Sequence, residues 1–242
     1  MFMICSYPSS PSLLPMISPP STASEGPSST KGTGYLPKPG LRYRVRHHLE
    51  KRQATACLQA ALLSEEIGRP LNRYVVLDLR HTKIDVSSAS HAFERIRSGH
   101  FVRWFARKKA GYPPTYVWTI EAAGQGVHIN WLLHIPPELE VEFITKLERW
   151  FKAATGEKYI PPGAIHVGVI GALAERGNGL MPLARYICKG VDPNHARRMF
   201  VTPVAQGTTI GKRSGVSRAL GKTAIKKRRA AGFEKSNRRR QS

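Results

Sequence analysis

Cysteine is scarce in this sequence, and its three copies are scattered. Cys5, Cys57 and Cys188 are the only cysteines among the 242 residues. An odd number at wide spacing supplies neither a disulfide framework nor a zinc knuckle. We therefore expect a reducing compartment and predict a cytoplasmic location.

Long apolar runs are also absent. The longest, such as Val167 to Ala174, are far below the ~20 residues that a membrane-spanning helix needs. Near the N-terminus, Pro8, Pro11 and Pro15 interrupt the apolar residues, and no basic segment precedes them. The sequence therefore predicts neither a signal peptide nor a membrane partner.

Acidic residues are few, so the chain is strongly basic. It has 16 Asp and Glu against 38 Lys and Arg, a formal net charge of +22. This excess disfavours an acidic protein or an enzyme of small anions. It favours a polyanionic partner, which is nucleic acid or, less often, an anionic membrane surface.

The charge and composition divide the chain into three segments. Residues 1–40 hold eight prolines and nine serines, and we expect them to be disordered. Residues 41–210 have the composition of a folded domain. Residues 211–242 carry 12 basic side chains against Glu234 alone, which predicts a basic nucleic-acid-binding tail.

The central segment has the pattern of a mixed α and β domain. Its strands and helices alternate, with a hairpin signal at Gly124-Gln125-Gly126. This order predicts an α+β fold, an antiparallel sheet with helices mainly on one face. The predicted strands are Tyr74–Leu79, Tyr116–Glu121, His128–Ile135 and Ala164–Ile170, and the predicted helices are 48–66, Ser90–Lys109, 137–151 and Met181–Lys189.

The second strand of the hairpin carries candidate metal ligands. His128 and Asn130 share one face because side chains alternate along a strand. A tight turn would place Glu121 directly opposite His128 on that face. A carboxylate, an imidazole and an amide oxygen are suitable ligands for Mg²⁺ or Mn²⁺. The alternative is that His128 and His134 are polar residues of a half-exposed sheet face.

A second group of candidate residues lies near the end of the last predicted helix. Tyr186 and Lys189 are three residues apart, so a helix would place them on one face. A tyrosine hydroxyl is a poor nucleophile unaided, and a neighbouring ammonium group favours its phenolate form. The alternative is that Tyr186 packs its ring and Lys189 stabilises the helix C-terminus.

These elements occur in an order that resembles the HUH endonucleases. The resemblance covers roughly residues 72–220 and rests on the strand YVVLDL, the phrase TYVWTIE before His128 and the phrase GLMPLARY that ends at Tyr186. The sequence looks most like the small single-tyrosine initiators of rolling-circle replication in bacterial plasmids and phages. Conjugative relaxases and some transposases share this chemistry and are alternatives.

The resemblance implies a function for each named residue. Tyr186 would attack a DNA phosphodiester, leaving a 5′-phosphotyrosine and a free 3′-hydroxyl, with Lys189 beside the phenolate or the phosphate. His128, Asn130 and Glu121 would hold a divalent cation, Mg²⁺ or Mn²⁺. The partners would be single-stranded origin DNA and possibly a host helicase.

One position departs from the HUH pattern. The pattern has histidine at both ligand positions of the strand, and here the second is Asn130. The site is therefore either a weaker metal site or a degenerate one, and the second reading makes the chain a non-catalytic DNA- or RNA-binding protein. In either case we expect DNA contacts from basic residues of the tail, which are Lys212, Arg213, Arg218, Lys226, Lys227, Arg228 and Arg229.

Overall fold

The computed structural model describes residues 44–122, 126–171, 179–228 and 230. The segment 1–40 that we expect to be disordered lies outside this range, as do the hairpin turn residues 123–125. Within it, the fold is α+β, as predicted, with an antiparallel five-stranded sheet. The strands are β1 (Val45–Arg46), β2 (Arg73–Asp78), β3 (Tyr116–Glu121), β4 (His128–Leu133), β5 (Ile165–Val169), β6 (Thr209–Ile210) and β7 (Ser214–Val216).

The helices largely follow the apolar periodicity of the sequence. The predicted helix Ser90–Lys109 begins earlier, at Val86, and contains a π-helical segment at Arg95–Phe101. The helices are α1 (Lys51–Glu66), α2 (Val86–Glu94), α3 (Val102–Arg107), α4 (Glu140–Thr155), α5 (Leu180–Ile187) and α6 (Pro193–Ala196). Residues 222–228 are also helical.

The central sheet has the strand order β5-β2-β4-β3-β7. β4 pairs with β3 on one side and with β2 on the other, and both pairings are antiparallel. In the β3–β4 hairpin, Glu121 lies opposite His128, which confirms the register expected from the sequence. β1 and β6 form a separate two-stranded sheet.

Helices cover both faces of the sheet, so the prediction of helices mainly on one face is wrong. One face carries Trp118 and Trp131, which pack in a buried cluster with residues of α2, α3 and α4. The other carries Val117 and Leu132, which pack with residues of α1 and α5. The physical reason is that β3 is buried along its whole length, so both of its faces need apolar cover.

The predicted boundary at residue 210 is also wrong. β7 lies beyond that boundary and pairs with β3 at the edge of the sheet. Leu220 follows β7 and is fully buried. The first part of the predicted tail therefore belongs to the folded unit, because β3 needs a partner on its outer side.

Among the helices that the structure describes, none is both long enough and apolar enough to cross a bilayer.

Candidate functional site

A row of three ionisable side chains crosses the three central strands at one end of the sheet. Asp78 of β2 pairs with His128 of β4, and His128 pairs with Glu121 of β3. Residues directly opposite one another in a sheet point to the same face. This face is the one that α5 covers, and Asn130 lies on it two residues further along β4.

Glu121 forms an ion pair with Lys189, which follows α5 in the sequence. The Nζ atom of Lys189 lies 3.0 Å from Oε2 of Glu121. Both side chains are mostly buried, with 15% of Lys189 and 9% of Glu121 exposed. The other carboxylate oxygen, Oε1, is buried and has no hydrogen-bond partner in the structure. Lys189 is therefore held against the sheet by a single carboxylate oxygen.

Lys189 also contacts the candidate nucleophile. Its Nζ atom lies 3.8 Å from the centre of the Tyr186 ring, a cation–π contact. The Tyr186 residue is half exposed, so a ligand in solvent can reach it. The structure thus brings together three of the predicted site residues, which are Tyr186, Lys189 and Glu121.

Asp78 is a site residue that the sequence reasoning missed. Its Oδ2 atom lies 3.8 Å from Nδ1 of His128, and its carboxylate accepts hydrogen bonds from the side chain and backbone N–H of Arg80. Burial raises the pKa of Asp78, but the hydrogen bonds from Arg80 outweigh it and hold that pKa below its usual value. The available signal was an acidic residue in the otherwise apolar strand YVVLDL.

Asn130 does not present its oxygen as a free ligand. Its Oδ1 atom accepts a hydrogen bond of 2.6 Å from the hydroxyl of Tyr74. Its Nδ2 atom is buried and has no partner in the structure. The unused polar atom of the Asn130 side-chain amide is therefore a donor, and a donor cannot bind a cation.

The predicted ligand set does not fit a divalent cation as arranged. Glu121 is paired with Lys189, and the oxygen of Asn130 is bonded to Tyr74. Across the described part of the chain, no three His, Cys, Asp or Glu side chains lie close enough to share an ion. A site at this position would need a different arrangement of the Glu121, His128 and Asp78 side chains.

His134 lies at the other end of β4 from His128. Its Nδ1 atom is 2.9 Å from the carbonyl oxygen of Pro70, and its Nε2 atom is 3.2 Å from the hydroxyl of Tyr112. These contacts anchor a loop rather than the tyrosine helix. As expected from its distance along the strand, His134 does not belong to the site.

The predicted DNA-contacting residues divide into exposed and buried groups. Exposed positions are Lys212, Arg218, Lys226, Lys227 and Arg228, and Arg229 lies outside the described residues. Arg228 lies 3.4 Å from the carboxylate of Glu66, with both side chains about half exposed.

The burial of Arg213 contradicts its predicted role in DNA contact. It is 1% exposed, and its guanidinium group donates hydrogen bonds to the carbonyl oxygens of Arg46, Gln206 and Gly207. Burial lowers the pKa of Arg213. The residue ties the backbone at Arg46 to the backbone at Gln206 and Gly207, because a buried guanidinium must satisfy its donors within the protein.

The tryptophans are also structural. Trp104 and Trp131 are buried in the core, as their positions on apolar faces predict. Trp118 is 3% exposed and makes an edge contact with Phe93, so it is not available to stack on bases. None of the three presents a ring to solvent.

Comparison with known proteins adds no assignment. No family model matches the sequence, and no curated protein matches it significantly.

Proposed function

We propose that this protein is a DNA-nicking and strand-transferring enzyme that initiates rolling-circle replication. The observation that carries the proposal is the position of Lys189, whose ammonium group lies between the Tyr186 ring and the Glu121 carboxylate. Tyr186 is 65 residues from Glu121 in sequence, and the sequence predicts both as site residues. Lys189 joins these two parts of the predicted site, because it contacts Tyr186 three residues before it and Glu121 on the sheet.

The proposed reaction exchanges one phosphoester for another. The phenolic oxygen of Tyr186 attacks the scissile phosphorus and gives up its proton to water. The bond from phosphorus to the 3′ oxygen breaks, and that oxygen takes up a proton. The products are a 5′-phosphotyrosine and a free 3′-hydroxyl that primes synthesis, and attack by a 3′-hydroxyl on the phosphotyrosine transfers the strand.

Lys189 contributes electrostatically to this reaction. Its positive charge beside the ring favours negative charge developing on the phenolic oxygen. Glu121 positions the ammonium group through the 3.0 Å ion pair. We propose single-stranded origin DNA as the substrate, the cytoplasm as the location and a host helicase as a further partner.

The test is formation of a covalent adduct with labelled DNA. The full chain is incubated with Mn²⁺, the type of cation that the resemblance implies, and with single-stranded oligonucleotides tiled along the DNA beside its own coding sequence. Because attack leaves the protein on the 5′ phosphate, a 3′ label should become attached to the protein and a 5′ label should not. Denaturing electrophoresis detects the labelled protein.

Two tyrosine variants give this test its control. Tyr186→Phe should abolish the adduct, because the nucleophilic oxygen is removed. Tyr159→Phe should retain it, because Tyr159 is an exposed tyrosine in the loop between α4 and β5 and does not belong to the predicted site. An adduct that persists in Tyr186→Phe contradicts the proposal.

A second candidate function is DNA or RNA binding without nicking. The observation that favours it is the hydrogen bond between Tyr74 and Asn130, which occupies the oxygen that a cation would need. Under this function, the wild type binds single strands without an adduct, and His128→Ala leaves its affinity unchanged. Under the nicking function, Asn130→His should increase adduct formation, because an imidazole replaces an amide at the position where the HUH pattern has histidine.

A further inference from the structure

A groove lies on the surface between α1, α5 and the residues that follow α6. Its volume is about 370 Å³. Its floor is apolar and includes Leu58, Leu62 and Met181. Its rim includes Phe200 and the guanidinium groups of Arg185 and Arg198. Leu62 and Phe200 are exposed, so apolar surface faces solvent here.

Phe200 is held in a backbone conformation that a phenylalanine rarely adopts. Its φ angle is +54°, in the left-handed region, and 79% of the residue is exposed. This conformation closes a helical turn, because Phe200 is the C-cap of Arg197–Met199 and the N–H of Val201 donates to the carbonyl oxygen of Ala196. The turn leaves the Phe200 ring exposed beside the groove that it lines.

The charge of the groove selects its ligand. The guanidinium carbon of Arg185 lies 5.7 Å from the centre of the Phe200 ring. Lys51 and Arg198 also line the groove, and no acidic side chain is among the described lining residues. Cations beside an exposed aromatic ring are the combination that binds single-stranded nucleic acid, since the ring stacks on a base and the cations contact phosphates.

We propose that this groove binds an unpaired base of single-stranded DNA, stacked on Phe200, with the flanking phosphates on Arg185 and Arg198. Arg185 and Tyr186 are consecutive residues of α5 and point to different sides of the helix, so a strand that contacts both follows the surface around α5. The choice of this strand as the occupant rests on the proposed function. The groove then holds the strand at a second point, apart from the phenol.

The test measures binding rather than nicking, in buffer that contains a metal chelator. The full chain is titrated into a fluorescent dT 20-mer, and fluorescence anisotropy gives the dissociation constant. Phe200→Ala should weaken binding by about tenfold, because one base loses its stacking partner. Phe200→Trp should restore it. Phe200→Gly, which suits the left-handed backbone, should weaken it as Phe200→Ala does and controls for altered folding.

Matched controls decide what the Phe200 ring does. Val141 is equally exposed at 79% but lies on α4, so Val141→Ala should leave the affinity unchanged. A 20-mer of abasic sugar-phosphate should bind wild type and Phe200→Ala equally, because it has no base to stack. If Phe200→Ala binds the dT 20-mer as tightly as wild type, or loses abasic binding to the same extent, the proposal is overturned.

The outcome separates this inference from the proposed function. Loss of dT binding in Phe200→Ala supports the groove even if no adduct forms with Tyr186. An adduct that Tyr186→Phe abolishes, together with unchanged dT binding in Phe200→Ala, supports the nicking function and overturns the groove. If the groove binds a protein partner instead, Phe200→Ala should likewise leave the affinity for the dT 20-mer unchanged.

Discussion

Lys189 is the residue on which the candidate site depends most. Its ammonium group has one buried anionic partner, Glu121, and one aromatic partner, Tyr186. Removing the cation leaves a buried carboxylate without a countercharge, which costs more than the pair itself contributes. A double-mutant cycle can therefore measure the interaction between Lys189 and Glu121.

In that cycle, Lys189→Met should lower the free energy of unfolding by about 3 kcal/mol, since it leaves the buried Glu121 carboxylate without a countercharge. Adding Glu121→Gln should recover most of the loss, because a neutral amide needs no cation. Urea denaturation followed by tryptophan fluorescence measures both. Arg228→Met breaks the half-exposed pair with Glu66 and should cost no more than ~1 kcal/mol. Additive losses in the double variant would show that Lys189 and Glu121 do not interact.

His134 makes the stability of the protein depend on pH. Burial, the largest influence, and the charges of Arg69 and Arg73 lower its pKa below the usual 6.5, against opposing contributions from Pro70 and Glu138. As the pH falls below 6.5, the unfolded chain therefore takes up a proton before the folded one does. The stabilisation that the neutral imidazole provides is present above pH 6.5 and is lost towards more acidic pH.

The free energy of unfolding should accordingly decrease as the pH falls below about 6.5, and His134→Asn should flatten this decrease. Urea denaturation at a series of pH values provides the measurement. A residual slope is expected from His100, whose pKa is also lowered, first by burial and then by Arg95 and Arg103. An unchanged slope in His134→Asn would contradict the assignment.

How far the sequence predicts the site depends on the distance between its residues. The pairing of Glu121 with His128 follows from a short hairpin and is confirmed. The pairing of Asp78 with His128 joins strands 50 residues apart, and no local signal specifies it. Arg213 was misread because a basic run has the same appearance whether its side chains point to solvent or into the protein.

At the scale of elements, β7 completes the sheet through a close contact. Gly215 lies opposite Trp118, and a Cβ atom at this glycine would lie 2.8 Å from Nε1 of the indole. Trp118 is buried and cannot move aside without disturbing its packing against Phe93. The edge strand therefore approaches the sheet only because its central residue has no side chain.

Gly215→Ala should lower the free energy of unfolding by about 1–3 kcal/mol, the usual cost of forcing atoms into a packed site. Gly99→Ala is the matched control, because a Cβ atom there meets nothing within 4 Å and Gly99 lies in a helical segment. It should be neutral or stabilising by up to about 1 kcal/mol. Thermal unfolding by circular dichroism compares the two, and equal midpoints would exclude a steric role for Gly215.

The elements that the sequence predicted well are those with a clear periodicity. β3 agrees with its predicted bounds, and β2 differs from them by one residue at each end. β7 is three residues long and contains a glycine, so it has neither the length nor the alternation of a recognisable strand. The helices on the second face were missed because a strand buried on both faces shows continuous rather than alternating apolar residues.

At the scale of the whole molecule, the basic C-terminal segment has two parts. Residues 211–220 supply β7, the buried Arg213 and the buried Leu220. Residues 222–228 present exposed cations, among them Lys226 and Lys227. The basic segment that predicts a nucleic-acid-binding tail therefore begins inside the folded unit.

A chain that ends at residue 210 should consequently fail to unfold cooperatively, because β3 loses its outer partner and three backbone carbonyls lose their hydrogen bonds from Arg213. A chain that ends at residue 230 should retain the cooperative transition. Thermal unfolding monitored by circular dichroism and tryptophan fluorescence distinguishes them. Cooperative unfolding of the shorter chain would show that the folded unit ends at residue 210, as the sequence predicts.

Because β7 follows β3 by many residues in the sequence, it also affects how the chain folds during translation. β3 is translated about a hundred residues before β7, and Arg46 bonds to the carbonyl of Gly211, 165 positions later. Such distant pairings slow folding, and an edge strand that waits for its partner is open to wrong pairing with other chains. We therefore expect the sheet of the nascent chain to remain incomplete on the ribosome until β7 has emerged, and the chain to benefit from chaperones that shield the β3 edge during that interval.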